Sequence, residues 1–321
     1  MQSTRTKILE SIAPVVASSK YVQIRPEKVA EVAQALRHEP VPSWDNDLQL
    51  FDTPEKTAQY YFFIDSCQGC FWAPKGQQRW EYKIGDEWRG GYYGFSRAVK
   101  DAFLRDVRLS DAAYLADISE ADFAAIFPGR NSLLLLEERR KYVRQNFSTL
   151  RDRYAGSAIT LLAHAEGDVD RLIGTLLEEF QTFRDQAEWQ GQTVYFLKRA
   201  QIFPSDMHFS GITHPAVTFS NLDHLTIFAD YKLPQLLEAL GVLVYGEELD
   251  ADIVNEVLIP AGSEKEIELR ACTISAGEQI STELHKLGRS ITMHELDWLL
   301  WVKSQRMKFQ KPHHKTVTLF Y

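Results

Sequence analysis

The chain has 321 residues, 45% hydrophobic and 25% charged, the make-up of a globular protein with a substantial core, built as one large domain or two closely packed ones. Its formal net charge of −8 counts against a genomic DNA partner, because non-specific binding to duplex DNA is mostly neutralisation of phosphates by Lys and Arg. No stretch approaches the roughly 18 uninterrupted apolar residues of a membrane span, and the polar residues 1–10 carry no signal-peptide core.

Residues 6–16 and 26–36 read as short amphipathic helices. Val29, Val32, Ala33 and Leu36 make the apolar stripe of the second, and Pro26 stands in its first turn, where a missing N–H is no loss. Residues 40–54 form a loop bearing Trp and Asp. Tyr60-Tyr61-Phe62-Phe63-Ile64 has the composition of a strand. Residues 81–88 suggest a hairpin around Gly85-Asp86, and Trp80, Trp88, Tyr92 and Tyr93 crowd the same region.

From about residue 96 the pattern turns helical. Ser119-x-x-Asp122 resembles a capping box, and helical stretches follow at residues 133–142, 158–165 and 168–183. Ser263-x-x-Glu266 opens another, and residues 290–303 form the last long one. Residues 315–321 alternate like a short closing strand. The expectation is a mainly α protein: a small α+β portion over residues 1–95 packed on a helical portion over residues 96–321, or the two as one continuous domain.

Three cysteines, an odd number, point to a reducing, cytoplasmic setting. Cys67-Gln68-Gly69-Cys70 has the spacing of half a zinc site, but such a site needs about four ligands. Only Cys272 remains, far away, and no His pair lies nearby. The pair reads as two small semi-buried residues, and no metal is expected. The Gly90-Gly91-Tyr92-Tyr93-Gly94 turn is neither a Walker loop nor a dinucleotide fingerprint. GxSxG and HExxH motifs are absent as well.

Three charged residues stand where apolar ones belong. In Thr226-Ile227-Phe228-Ala229-Asp230-Tyr231-Lys232-Leu233-Pro234-Gln235, an apolar run leads into an acid just ahead of a helix. That helix is marked by Leu233, Leu236, Leu237 and Leu240, with Pro234 in its first turn and Gly241 at its end. Asp297 shares a helix face with Met293, Leu300 and Trp301. Lys198, followed by Arg199, interrupts the apolar run at residues 194–203.

Two accounts fit. Asp230 caps its helix and a buried Lys–Asp pair fixes helix packing. Alternatively, two carboxylates and a cation line a pocket walled by aromatic rings, an arrangement suited to cleaving a glycosidic bond on a phosphorylated substrate. His313-His314-Lys315 is a second small basic cluster, which reads alone as a solvated tail.

The stretches YYFFIDSCQGCFW, GYYGFSRAVKDA, FQTFRD, VYFLKRAQIF, LTIFADYKLPQLLEALGVLVY, EIELRACTISAGEQI, ELDWLLW and HHKTVTLFY, in that order and over nearly the whole chain, resemble the queuosine salvage family of queuosine 5′-phosphate N-glycosylase/hydrolases. One departure is Cys67-Gln68-Gly69-Cys70 ahead of Phe71-Trp72, where the family usually carries Asn-Phe.

The resemblance implies a helical fold similar to helix-hairpin-helix DNA glycosylases with an added N-terminal portion. It also implies hydrolysis of queuosine 5′-phosphate to queuine and ribose 5-phosphate. The family's functional Lys and two Asp fall on Lys198, Asp230 and Asp297. On this reading Asp230 reads the N1–H and amino edge of the base, between aromatic residues such as Phe228, Tyr231 and Trp72. Asp297 stabilises the C1′ cation and handles water. Lys198 takes the 5′-phosphate or the ribose edge, with Arg199, His314 and Lys315 as helpers.

The expected partner is a free nucleotide, with no stable nucleic acid, no membrane, no cofactor and a monomeric state. The alternatives are a nucleic-acid base glycosylase on a related scaffold and a catalytically silent queuine-binding protein.

Overall fold

The computed structural model describes residues 2–44 and 47–321, so Asp45 and Asn46 of the 40–54 loop lie outside the described residues. Helices dominate: α1 (Thr4–Ala17), α2 (Pro26–Leu36), α3 (Pro54–Cys67), α4 (Gly91–Arg105), α5 (Ala112–Ala116), α6 (Glu120–Ala124), α7 (Leu136–Arg153), α8 (Ala158–His164), α9 (Val169–Glu179), α10 (Lys198–Phe209), α11 (Lys232–Ala239), α12 (Glu247–Val254), α13 (Glu264–Lys286) and α14 (Met293–Arg306). The strands are short and pair antiparallel, two by two. They are β1 (Val22–Ile24) with β6 (Leu243–Tyr245), β2 (Glu81–Ile84) with β3 (Glu87–Gly90), and β4 (Gln186–Trp189) with β5 (Gln192–Tyr195). The protein is thus mainly α with small β elements, as expected. No described helix is long and apolar enough to cross a membrane.

Two local expectations are overturned. The aromatic run Tyr60–Ile64 is not a strand but the middle of α3. Thr53 caps that helix by accepting the Lys56 N–H at 3.3 Å, Pro54 occupies its first turn, and every residue from Thr57 to Cys67 is buried. A helix enclosed on all sides shows no amphipathic period, so its aromatic and β-branched content reads as strand. Residues 315–321 form no strand either. Lys315 makes a single parallel bridge with Leu258, and nothing further along offers a ladder.

The chain packs into two compact units, each discontinuous in sequence. The first gathers Met1–Ser43, Asp185–Gln201 and Leu222–Val317; the second gathers Trp44–Arg184, Ile202–Asn221 and Thr318–Tyr321. Position 95/96 lies inside α4, within the second unit.

The first unit is built on α13. Ser263 caps it, and every residue from Glu266 to Ile274 is buried. It packs against α1, α2, β1, α11 and α14. Gly277 has no side chain because Ile227 presses on it: a Cβ there would stand 2.4 Å from Ile227 Cδ1.

The second unit is built on α3. The Phe62 ring contacts Phe147, Phe180, Phe183 and Phe203 at centroid distances of 5.3–6.1 Å. Beyond α3 the Cys67–Cys70 turn is bound by the buried Arg139, which donates to the carbonyls of Cys67, Gly69 and Cys70. Both cysteines are fully buried rather than semi-buried, and all three in the chain are free thiols.

Candidate active site

Residues 226–230 are buried yet belong to no helix or strand. Buried peptide groups need partners, and here side chains of neighbouring elements supply them. Gln201 Oε1 accepts the Thr226 N–H at 2.8 Å, Asp297 Oδ1 accepts the Phe228 N–H at 2.7 Å, and Arg270 Nε donates to the Ala229 carbonyl at 3.3 Å. The segment is therefore a ribbon without regular structure, held by polar groups from α10, α13 and α14.

Asp230 ends that ribbon. Its Oδ1 accepts the N–H groups of Lys232 and Leu233 at 2.7 and 2.9 Å, so it caps α11. Its second oxygen has no part in the cap. Capping and a second task are compatible in one carboxylate.

Asp297, on α14, is nearly enclosed, with Met293 and Leu300 buried beside it on the same helix face. Burial pushes its carboxyl up to about 8, and the negative charge of Asp230 adds to the rise. The Phe228 N–H and the Lys198 ammonium oppose it without cancelling it. Asp297 therefore senses the charges of both Asp230 and Lys198, and it holds a proton at neutral pH. A protonated carboxyl donates a proton rather than taking one from water.

Lys198 is the first residue of α10 and is 9% exposed. Among the described residues its ammonium makes no ion pair within 4.0 Å. Its backbone N–H donates to Asp185 Oδ2 at 3.0 Å. Arg199 follows it, fully buried.

The remaining candidates divide. Phe228 is buried between the Asp297 and Arg270 contacts. The Tyr231 ring lies tilted against His313 with centroids 4.4 Å apart. Burial drives the His314 imidazole down to about 3, with the charges of His313 and Arg270 adding to the fall, and burial likewise takes His313 down to about 4. Both rings are neutral at neutral pH, and Lys315 pairs with Glu256 at 2.6 Å. Trp72 belongs to the second unit, where it is 6% exposed.

Two residues escaped the sequence reading. Asp185 and Arg270 form a bidentate ion pair at 2.7 and 2.6 Å, almost wholly buried. The guanidinium lies over the Phe196 ring at 4.0 Å. Both stand in stretches that carry the family resemblance, FQTFRD and EIELRA, and the second gave a clue: an Arg inside a helix otherwise flanked by Leu, Ala and Ile. Among the described residues no group of three His, Cys, Asp or Glu is placed to hold a metal ion.

The profile of the family described as "Queuosine salvage protein" matches residues 48–321. A queuosine 5′-phosphate N-glycosylase/hydrolase of Sphaerobacter thermophilus is 36% identical over 320 residues, covering 99% of this chain and 98% of that one. The protein of the same name from Dictyostelium discoideum is 32% identical over 268 residues, 83% of this chain and 79% of its own. The one from Mus musculus is 27% identical over 328 residues, 98% and 96%. A match over most of its length, together with a relative this similar end to end, makes the chain a member of the queuosine salvage protein family.

Proposed function

We propose that the protein is an N-glycosidase that hydrolyses queuosine 5′-phosphate to queuine and ribose 5-phosphate, for queuine salvage. The observation that carries this reading is that two buried acids meet one short ribbon, Asp297 at the Phe228 N–H and Asp230 at its end, in a chain of this family. Two acids in unlike surroundings divide acid and base work between them.

Queuine is a 7-deazaguanine. Carbon replaces N7, so the base cannot be made to leave by protonation there. Its departure needs stabilisation at N3, at the N1/N2 amidine edge or at O6. Asp297, which holds its proton at neutral pH, is the donor to N3 or O6, the acceptors among these atoms. Asp230 is the carboxylate that faces the C1′ cation and orients the attacking water with the oxygen not used in capping. This exchanges the two roles expected from sequence.

A dry wall around these groups strengthens every charge interaction in the transition state. Phe228 and Tyr231 offer faces to the flat base, worth about 1–3 kcal/mol by analogy with nucleic-acid stacking platforms. Lys198, with Arg199 behind it, takes the 5′-phosphate. His314 acts as a neutral wall group, and Lys315 serves through its pair with Glu256. The part of Trp72 rests on the family resemblance alone.

The helical portion is read as a relative of helix-hairpin-helix DNA glycosylases, supported by the same resemblance and by the dominance of helices. A cytoplasmic monomer acting on a free nucleotide is supported by the acidic net charge and the free thiols.

The test is incubation with queuosine 5′-phosphate and queuosine side by side, with queuine detected by mass spectrometry. Queuine and ribose 5-phosphate in equal amounts are expected from the nucleotide. No release from either sinks the reading, and tight binding of queuine without release would make the protein a binder.

A further inference from the structure

Asp185 and Arg270 lie behind the site, each tied to a different part of it. Asp185 precedes β4. Its Oδ2 accepts both Arg270 Nη2 at 2.6 Å and the Lys198 backbone N–H at 3.0 Å. Its main-chain carbonyl accepts the N–H groups of Phe196 and Leu197, each at 3.0 Å. Leu197 has φ 54, a left-handed conformation that residues with a side chain rarely hold. That residue turns the chain from β5 into α10, so Asp185 secures the turn from which Lys198 emerges.

Arg270 completes the link. Its Nη1 also stands 3.6 Å from Glu266, and its Nε reaches the Ala229 carbonyl, one peptide before Asp230. A single ion pair thus holds the backbone at Lys198 and the backbone at Asp230. Buried ion pairs are poor stabilisers, because desolvation offsets their attraction, and they are better explained by the geometry they impose. A guanidinium fork fixes that geometry where a lysine point charge would not.

We propose that Asp185 and Arg270 are positioning residues that fix where Lys198 and Asp230 stand relative to each other by holding the backbone beside each, and so set the preference for the 5′-phosphorylated nucleoside. The proposal rests on the reading in which Lys198 binds the phosphate. Neither residue touches substrate; both act through the backbone at positions 198 and 229.

The readout is the ratio of kcat/KM for queuosine 5′-phosphate to kcat/KM for queuosine. Partial unfolding cancels from this ratio, so a merely structural role leaves it unchanged. Wild type is compared with Lys198→Ala, Arg270→Lys, Asp185→Asn and the charge-free double variant Asp185→Leu/Arg270→Met, which leaves no lone buried charge behind.

Lys198→Ala is expected to collapse the ratio. Arg270→Lys, Asp185→Asn and the double variant are expected to lower it by about tenfold or more, with a fall in kcat of about 100-fold, the scale of a misplacement of about 1 Å. Arg270→Lys placed on Lys198→Ala should then change the ratio no further.

A wild-type ratio in all the Asp185 and Arg270 variants, beside a collapsed one in Lys198→Ala, overturns the proposal. If Lys198→Ala itself keeps the ratio, the phosphate role of Lys198 is what fails. The claim on preference then falls with it, and the positioning claim is judged on kcat: wild-type kcat in folded Arg270→Lys overturns it, and a fall of about 100-fold upholds it.

Discussion

Asp297 carries two demands at one carboxyl. Its ordinary value is 3.8, and in the folded protein it rises to about 8. Between those values the folded chain keeps a proton that the unfolded chain releases, so this group's contribution to stability is full below the lower value and is lost as pH rises through the upper one. Asp297→Asn removes that slope. The variant should match wild type in melting temperature near about pH 4 and exceed it by a growing margin up to about pH 8. An unchanged difference across that range would show that Asp297 is not the group held protonated. Activity should move the other way: wild-type kcat/KM falls above about pH 8, whereas the Asn variant keeps only a small residual rate without that basic limb. The burial of Lys198, Asp230 and Asp297 was legible in the sequence because each interrupts an apolar run. That of Asp185 and Arg270 was not, because Asp185 has polar neighbours in the chain and only tertiary packing buries it.

At the scale of elements, the site depends on a segment with no regular structure of its own. Residues 226–230 read as an apolar run, and nothing in their composition says that their peptide groups bond to Gln201, Asp297 and Arg270 rather than to a neighbouring strand. The ribbon is held down onto α13 by Ile227 against Gly277. Gly277→Ala would ordinarily strengthen a helix by about 1 kcal/mol, but here the added methyl meets Ile227 at 2.4 Å and more than one of its carbons. Overpacking of this kind costs about 1–3 kcal/mol, so the variant should be less stable than wild type. It should also lose activity, because the shift passes to the Phe228 N–H and from there to Asp297. Adding Ile227→Val removes the closest carbon and should restore part of both. A Gly277→Ala protein more stable than wild type with full activity would show that the ribbon is not pinned there. The α3 helix illustrates the same difficulty from the other side: its capping signals, Thr53 and Pro54, were present, but a helix buried all round loses the period that identifies it.

The whole molecule is assembled across long sequence separations. The N-terminal helices and most of the C-terminal third share one unit, while residues 54–67, which read as part of the N-terminal portion, form the centre of the other. No local pattern carries that pairing. One carboxylate records it: Glu268 Oε2, buried on α13, accepts the N–H groups of Lys20, Tyr21 and Val22 at 2.9, 2.6 and 3.2 Å. The segment that leads from α1 into β1 is thereby bound to the helix that also bears Arg270. The family profile begins only at residue 48, yet α1, β1 and α2 all pack on α13. A chain begun at residue 48 would strip α13 of that cover and leave in water the apolar side chains that α1, β1 and α2 bury against it, at about 1.5–3 kcal/mol for each large one uncovered. That is a large share of the roughly 5–15 kcal/mol by which domains are stable. The truncated chain should therefore lose cooperative melting in the unit that holds Lys198, Asp230 and Asp297, and with it all release of queuine. Glu268→Gln in the full chain, which keeps an acceptor oxygen and removes the charge, should stay folded and active with a lower melting temperature. A truncated protein with wild-type melting and turnover would mean that the first 47 residues are dispensable to the site, and that α13 holds Arg270 in place without them.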